Sequence, residues 1–257
     1  VIDIETAPLE LYAWTTWKVT ASLEQIKTDW SILSFAALWM DKPSEIIYMD
    51  TGGRGARKVR DDRKLMRPLW KLLDEADIVV AQNGKKFDIR KIKARLIAHG
   101  FKPPSPFHVI DTLIVGDKNF AFTSQKLKYT SGILAPEMPK DEHKQFPGQE
   151  LWTECLADNP KAWKVMRKYN TRDIKSTRKV YLKMRPYIEN HPQMGLYFES
   201  DRPRCPNCGS LHVVRDKQRL QAKTASMYVQ YQCRKCGKYC RGKAMKTKLS
   251  KRRSLLV

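Results

Sequence analysis

The chain has 257 residues, 42% hydrophobic and 30% charged, with 49 Lys/Arg against 27 Asp/Glu for a formal net charge of +22. That length and balance suit a soluble folded protein with one sizeable α/β domain and a small appendage. No apolar run approaches the ~20 residues of a membrane span, which excludes a helical membrane protein, and no basic-then-apolar leader with a cleavage site is visible, so a cytoplasmic location is expected, in a bacterium or in the host cell of a virus.

The charge is uneven: residues 201–257 carry 16 Lys/Arg against 2 Asp/Glu, a net +14. Such a surface favours a polyanion, because neutralised phosphates release condensed counterions and association is steered electrostatically. A merely solubilising basic surface is the bland alternative. An anionic membrane is a weaker one, since no amphipathic basic helix is evident.

In chain order, Val1 to Glu5 reads as a short strand, which places the chain's first residue inside an element, so residues preceding it are expected. Leu11 to Trp17 (LYAWTTW) is an aromatic segment that suits either core packing, the favoured reading, or a wedge or platform near a substrate. Trp30 to Met40 and Glu45 to Met49 are apolar runs of strand length and predict a β-meander. Leu65, Leu69, Leu72 and Leu73 at helical spacing lead into the buried-strand pattern Ile78 to Ala81, as a crossover helix would. FDIRKIKARLIAHG predicts a helix with Phe87, Ile89, Ile92, Leu96 and Ile97 on its apolar face and Gly100 as its stop. Val109 to Leu113 suits a further strand, Ser124 to Leu134 a helix, 136–149 a loop, and Leu151 to Ile188 a mostly helical stretch. A linker punctuated by Pro192, Gly195 and Pro203 follows, and the Lys/Arg-rich tail after Cys240, which has no acid, is expected to be disordered without a ligand.

Asp3 and Glu5 lie two residues apart, so on a strand they share one face while Ile2 and Ile4 point to the other. A carboxylate pair of this kind suits a hard divalent cation, although a solvent-facing edge strand would show the same pattern. Asp88, in NGKKFD, falls where a strand end meets a helix start, a position at which an acid more often complements the helix dipole. Tyr169 and Asp173 are four residues apart and stack on one helical face, as many surface pairs do. Thr6 and Asn83 lie beside these motifs, where substrate contact and packing or capping are equally open. Asp111 reads as structural.

Together, the strand D-x-E, the N-x-x-x-F-D helix start and the helical Y-x-x-x-D resemble the three motifs of DEDD-type 3′-to-5′ exonucleases, over roughly Val1 to Ile188. Position 169 is Tyr, and no histidine lies between His143 and Asp173, so the pattern resembles the tyrosine branch, DEDDy, shared with proofreading domains of several DNA polymerases. The resemblance implies an RNase H-like fold, a mixed β-sheet flanked by helices, over 1–190. It also implies two Mg²⁺ or Mn²⁺ ions about 4 Å apart. Asp3 would bridge both ions, Glu5 and Asp173 would complete the one carrying the attacking water, Asp88 would reach the other, and Tyr169 would orient the nucleophile. The implied substrate is the single-stranded or frayed 3′ end of DNA, or else of RNA, released as nucleoside 5′-monophosphates, and a replication or repair protein is a conceivable partner. A non-catalytic nucleic-acid-binding scaffold is the competing reading.

Cys205-Pro-Asn-Cys208-Gly and Cys233-Arg-Lys-Cys236-Gly are two knuckles separated by 24 residues. This spacing predicts a Cys₄ zinc ribbon with one structural Zn²⁺ over 205–240, after a linker at 191–204 and before a basic tail at 241–257. The glycines would let backbone N–H groups turn onto the sulfurs. Cys240 and His212 are unnecessary as ligands, Cys155 has no assigned role, and a disulfide pair is the less suitable reading for a cytosolic chain. Tyr228, Tyr231 and Tyr239 would stack on bases or fill the ribbon's own core, and the module would hold nucleic acid or a protein partner.

Overall fold

The computed structural model describes residues 1–17, 19–139, 143–199, 201–223 and 225–255; Lys140, Asp141 and Glu142 of the expected loop and the last two residues of the tail lie outside them. It separates into two compact units, Val1–Tyr181 and Leu182–Val257.

In the first unit, strand β1 (Ile2–Thr6) leads through a short ribbon, β2 (Glu10–Leu11) and β3 (Ile26–Thr28), to β4 (Ile32–Leu38) and β5 (Ile46–Asp50). β4 is buried on both faces and pairs antiparallel with β1 on one side and β5 on the other, the expected meander. Helix α1 (Arg63–Asp74) then crosses to β6 (Ile78–Ala81), and α2 (Asp88–Ala98) to β7 (His108–Asp111), which pairs with β6 in parallel. The α/β class and the RNase H-like arrangement follow, with the antiparallel sheet β1-β4-β5 and the parallel pair β6-β7 accompanied by helices. Further along come α3 (Thr112–Asn119), α4 (Leu127–Leu134), α5 (Glu150–Leu156) and α6 (Pro160–Met184).

Strand alternation divides the core. Ile2, Ile4, Phe35 and Ala37 pack with Leu65, Leu69, Ile89 and Ile92 of α1 and α2 on one face of the sheet. Ala7 and Leu33 pack with Leu151, Cys155, Met166 and Tyr169 of α5 and α6 on the other. Because side chains alternate along a strand, burying Ile2 and Ile4 against α1 and α2 commits Asp3 and Glu5 to the α5/α6 side. Asp62, just before α1, is fully buried and joins three elements: it takes two hydrogen bonds from Arg95 at 2.7 and 2.8 Å, the N–H of Ile32 at 3.0 Å and a contact with His99 at 2.8 Å. Burial would raise its carboxyl, but these partners outweigh it and hold it below the ordinary value.

Loop 53–58 is fastened by Asp158, whose carboxylate accepts the N–H groups of Gly53 and Gly55 at 2.8 and 2.6 Å and that of the Trp163 indole at 2.9 Å. Gly52 lies flat against that indole, with no room for a β-carbon.

Three local expectations change. Ile97 is 75% exposed, one position off the buried face that ends at Leu96. The strand expected to reach Leu113 stops at Asp111, whose side chain caps α3 by accepting the Leu113 N–H at 3.0 Å. The aromatic segment after β2 is not core: Tyr12, Trp14 and Trp17 face solvent.

The second unit holds an antiparallel sheet of β8 (Val213–Lys223), β9 (Ser226–Cys233) and β10 (Tyr239–Met245), in the order β10-β9-β8, followed by α7 (Leu249–Arg253). Arg241 and Met245 pair with Gln230 and Tyr228, so the first residues of the expected tail belong to the ribbon sheet. No helix among the described residues is long and apolar enough to cross a membrane.

Candidate metal centres

Asp3 and Glu5 leave β1 on the same side and meet Asp173 from α6. One carboxylate oxygen from each lies within 4.8 Å of the others. Asp173 is buried and the other two are half-buried. Three converging carboxylates carry mutual repulsion that a divalent cation removes, and their hard oxygen donors suit Mg²⁺ or Mn²⁺.

Each acid of β1 has its own N–H donor. The side-chain amide of the fully buried Asn170 donates to the Asp3 carboxylate and, at 3.3 Å, to the Asp3 carbonyl, while its oxygen accepts from the Ser34 hydroxyl at 3.2 Å. The Trp152 indole donates to Glu5 Oε2 at 3.1 Å. Tyr169 is buried beside these groups within three mutually perpendicular rings, with its centroid 5.0 Å from that of His143 and 6.0 Å from that of Trp152; His143 and Trp152 are 5.4 Å apart. His143 is oriented by its Nδ1–H, which donates to the Phe146 carbonyl at 2.6 Å.

Asp88 stands next to this cluster but is not part of it. It is the first residue of α2, buried, and its Oδ1 accepts at 3.0 Å the N–H of Ile4, the residue between Asp3 and Glu5. Burial pushes its carboxyl up to about 7 against the effect of that N–H, and the nearby Asp111 adds to the rise. Asp111 itself accepts the backbone N–H groups of Asn83 at 2.8 Å and Lys85 at 3.0 Å, fixing the turn that delivers Asp88. Asn83 occupies that turn with φ 59°, a left-handed conformation that asparagine tolerates. Thr6 sits at the end of β1, where the register with β4 shifts.

In the second unit the four sulfurs of Cys205, Cys208, Cys233 and Cys236 also lie within 4.8 Å of one another, with Cys205–Cys236 and Cys208–Cys233 separations of 3.6 Å. A tetrahedral zinc with Zn–S near 2.3 Å places sulfurs about 3.8 Å apart, so the four thiols fit that ion. The two knuckles repeat one another: the N–H of Gly209 donates to the Cys205 carbonyl and that of Gly237 to the Cys233 carbonyl, both at 2.9 Å, with φ of 70° and 82°. Backbone N–H groups of Asn207 and Cys208 reach Cys205, and those of Cys236 and Lys235 reach Cys233. Cys240 is outside the cluster, its thiol raised to about 11 by burial first, and His212 is exposed. Cys155, on the buried face of α5, is not part of it, and desolvation drives its thiol up to about 12.

Sequence spacing alone leaves out Trp152, Asn170, Ser34 and His143. Asn170 adjoins Tyr169 and had a local signal; the other three reach the site only through the tertiary fold.

A family model described as RNase_H superfamily matches residues 31–185, from the start of β4 through the end of α6, beginning after Asp3 and Glu5. Among curated proteins, none matches. Among solved structures, the family B DNA polymerase from the hyperthermophilic archaeon Pyrobaculum calidifontis is similar in fold, with a TM-score of 0.52 and 17% identity over 72% of this chain. The match spans 24% of that polymerase. On the extent of the family match, the chain belongs to the RNase_H superfamily.

Proposed function

We propose that the chain is a metal-dependent 3′-to-5′ exonuclease of the tyrosine-containing DEDD branch, acting on single-stranded or frayed 3′ ends, with DNA favoured over RNA. The observation that carries this reading is the convergence of Asp3, Glu5 and Asp173 within 4.8 Å on one side of the sheet. In this reading Asp3, Glu5 and Asp173 hold one divalent cation and Asp88 contributes to a second. Such ions, when bound, supply a nucleophilic water at neutral pH and neutralise charge on the leaving oxygen. The protein's own part is positioning. Asn170 and Trp152 fix the Asp3 and Glu5 carboxylates, the ring cage holds the Tyr169 phenol to orient the attacking water, and Thr6 and Asn83 border the terminal nucleotide.

In the same reading residues 1–190 form the exonuclease domain, 191–204 a linker, and 205–240 a ribbon around one structural zinc, with 241–257 as its basic extension. The ribbon grips nucleic acid or docks on a replication or repair protein, and the protein works in the cytoplasm. Digestion of 3′- and 5′-labelled single-stranded DNA and RNA with Mg²⁺ or Mn²⁺, beside the Asp3→Ala variant, tests the proposal. Stepwise loss from the 3′ end that the substitution abolishes supports it and reports the sugar preference. Intact substrate that is nevertheless bound would replace it with the scaffold reading.

A further inference from the structure

The segment joining β2 to β3 exposes aromatic rings that fold energetics does not explain. Trp14 is 100% exposed, Trp17 76% and Tyr12 67%. Tryptophan is usually largely buried, and each of these rings offers an apolar face of the size that dominates interfaces. Among the described residues, the core clusters of the first unit do not include them.

Their place in the fold is specific. The Ala7 N–H donates to the Ser31 carbonyl at 2.9 Å, so the β1/β4 pair continues directly into the β2/β3 ribbon. The aromatic segment is therefore an extension of the strand that carries Asp3 and Glu5. Trp14 lies nine residues beyond Glu5, at most about 30 Å of fully extended chain. At the base of the ribbon, Arg60 donates to the Pro8 and Asp29 carbonyls at 3.1 and 3.2 Å and pairs with Glu10. Arg60 ends a stretch, 51–60, that has no acid and exposes Arg54, Arg57 and Lys58. Asp158 holds the backbone of that stretch from the opposite end. Exposed flat rings on a ribbon that Arg60 ties to an exposed basic stretch match one class of partner: a strand whose bases are unpaired and whose phosphates run alongside.

We propose that Tyr12, Trp14 and Trp17 form a base-stacking platform which, with Arg54, Arg57 and Lys58, grips single-stranded nucleic acid on its way to the acidic cluster. The inference takes its ligand class from the nuclease reading, but binding can be measured without cleavage. The probe is a fluorescently labelled 20-mer of deoxythymidine, titrated with no Mg²⁺ or Mn²⁺ added against the parent chain and the double variant Trp14→Ala/Trp17→Ala. In parallel, Mg²⁺-dependent hydrolysis of the p-nitrophenyl ester of thymidine 5′-monophosphate, too short to reach the platform, reports the acidic site. Both substitutions fall on exposed side chains, where the fold is little affected.

Loss of two stacked bases is expected to weaken 20-mer binding about 30-fold or more, with ester hydrolysis unchanged. The indole emission of the parent should be quenched by the 20-mer, and this quenching should be lost in the variant. Undiminished 20-mer affinity in the double variant overturns the platform whether or not the ester is cleaved. An inert ester in the parent, with the 30-fold binding loss retained, overturns the nuclease reading and leaves the platform standing. Partition of the parent into anionic phosphatidylserine vesicles that the double variant loses, with 20-mer affinity unchanged, would reassign the rings to a membrane surface.

Discussion

Replacing Trp152 by Phe removes one hydrogen bond and little else. The phenyl ring can keep the edge contacts with Tyr169 and His143, whereas the N–H that reaches Glu5 Oε2 at 3.1 Å has no substitute. A hydrogen bond to a charged group contributes about 1.5–3 kcal/mol, a factor of about 10–150. Partners that orient metal-binding carboxylates typically account for 10–100-fold in metal affinity or activity, about the same range. The Mg²⁺ concentration for half-maximal cleavage of a labelled oligonucleotide should therefore rise about 10–100-fold in Trp152→Phe, and much of the rate should return at saturating metal. A calorimetric Mn²⁺ titration should show the same displacement. If the half-saturating metal concentration is unchanged while the variant remains folded, then the Trp152 indole does not position Glu5 for metal, and its role there is refuted.

Asp88→Asn keeps an oxygen to accept the Ile4 N–H and removes a buried carboxylate, so the variant should melt no lower than the parent without added metal while losing Mg²⁺-dependent cleavage; a large drop in Tm would make Asp88 structural instead. Arg95→Met strips the principal partner from buried Asp62 and should cost about 3–5 kcal/mol at pH 7, read as a Tm fall on the order of 10 °C. The sign with pH is fixed: the Asp62 carboxyl is lowered from 3.8 in the fold, so its contribution is present above about pH 4 and lost on acidification, and the gap between parent and Arg95→Met should narrow in acid. Cys205→Ser should reduce zinc, measured by metal analysis after dialysis, from one per chain to a substoichiometric level and melt the ribbon unit, while metal-dependent cleavage of the p-nitrophenyl ester persists.

Much of this was legible from local pattern. The alternation of Ile2, Asp3, Ile4 and Glu5 specified which side of the sheet would carry the acids, because the two isoleucines had to be buried and the period of a strand is two. The paired knuckles specified four converging sulfurs in the same way, since a C-x-x-C-Gly turn has few conformations open to it. What escaped local reading depends on long-range geometry. Trp152 meets Glu5 across 147 positions, and Ser34 meets Asn170 across 136. In the sequence His143 is only the last histidine before Asp173, yet the fold lays it against Tyr169. Hydrophobic character misled at LYAWTTW and Ile97, because an apolar side chain signals burial only if the fold provides a surface to cover it. The end of β7 was misplaced for a different reason: Asp111 is a helix cap, and the apolar residues after it belong to α3.

The fit of Gly52 against Trp163 has a consequence for divergence. The indole fills the space a β-carbon would need, and the same indole reaches the carboxylate that fastens loop 53–58. Neither position is free to drift alone: a larger residue at 52 displaces the ring, and a smaller ring at 163 abandons Asp158. Descendants of this chain should therefore exchange the two together or keep both, and a lineage that has changed the pair should also show a re-routed cationic loop.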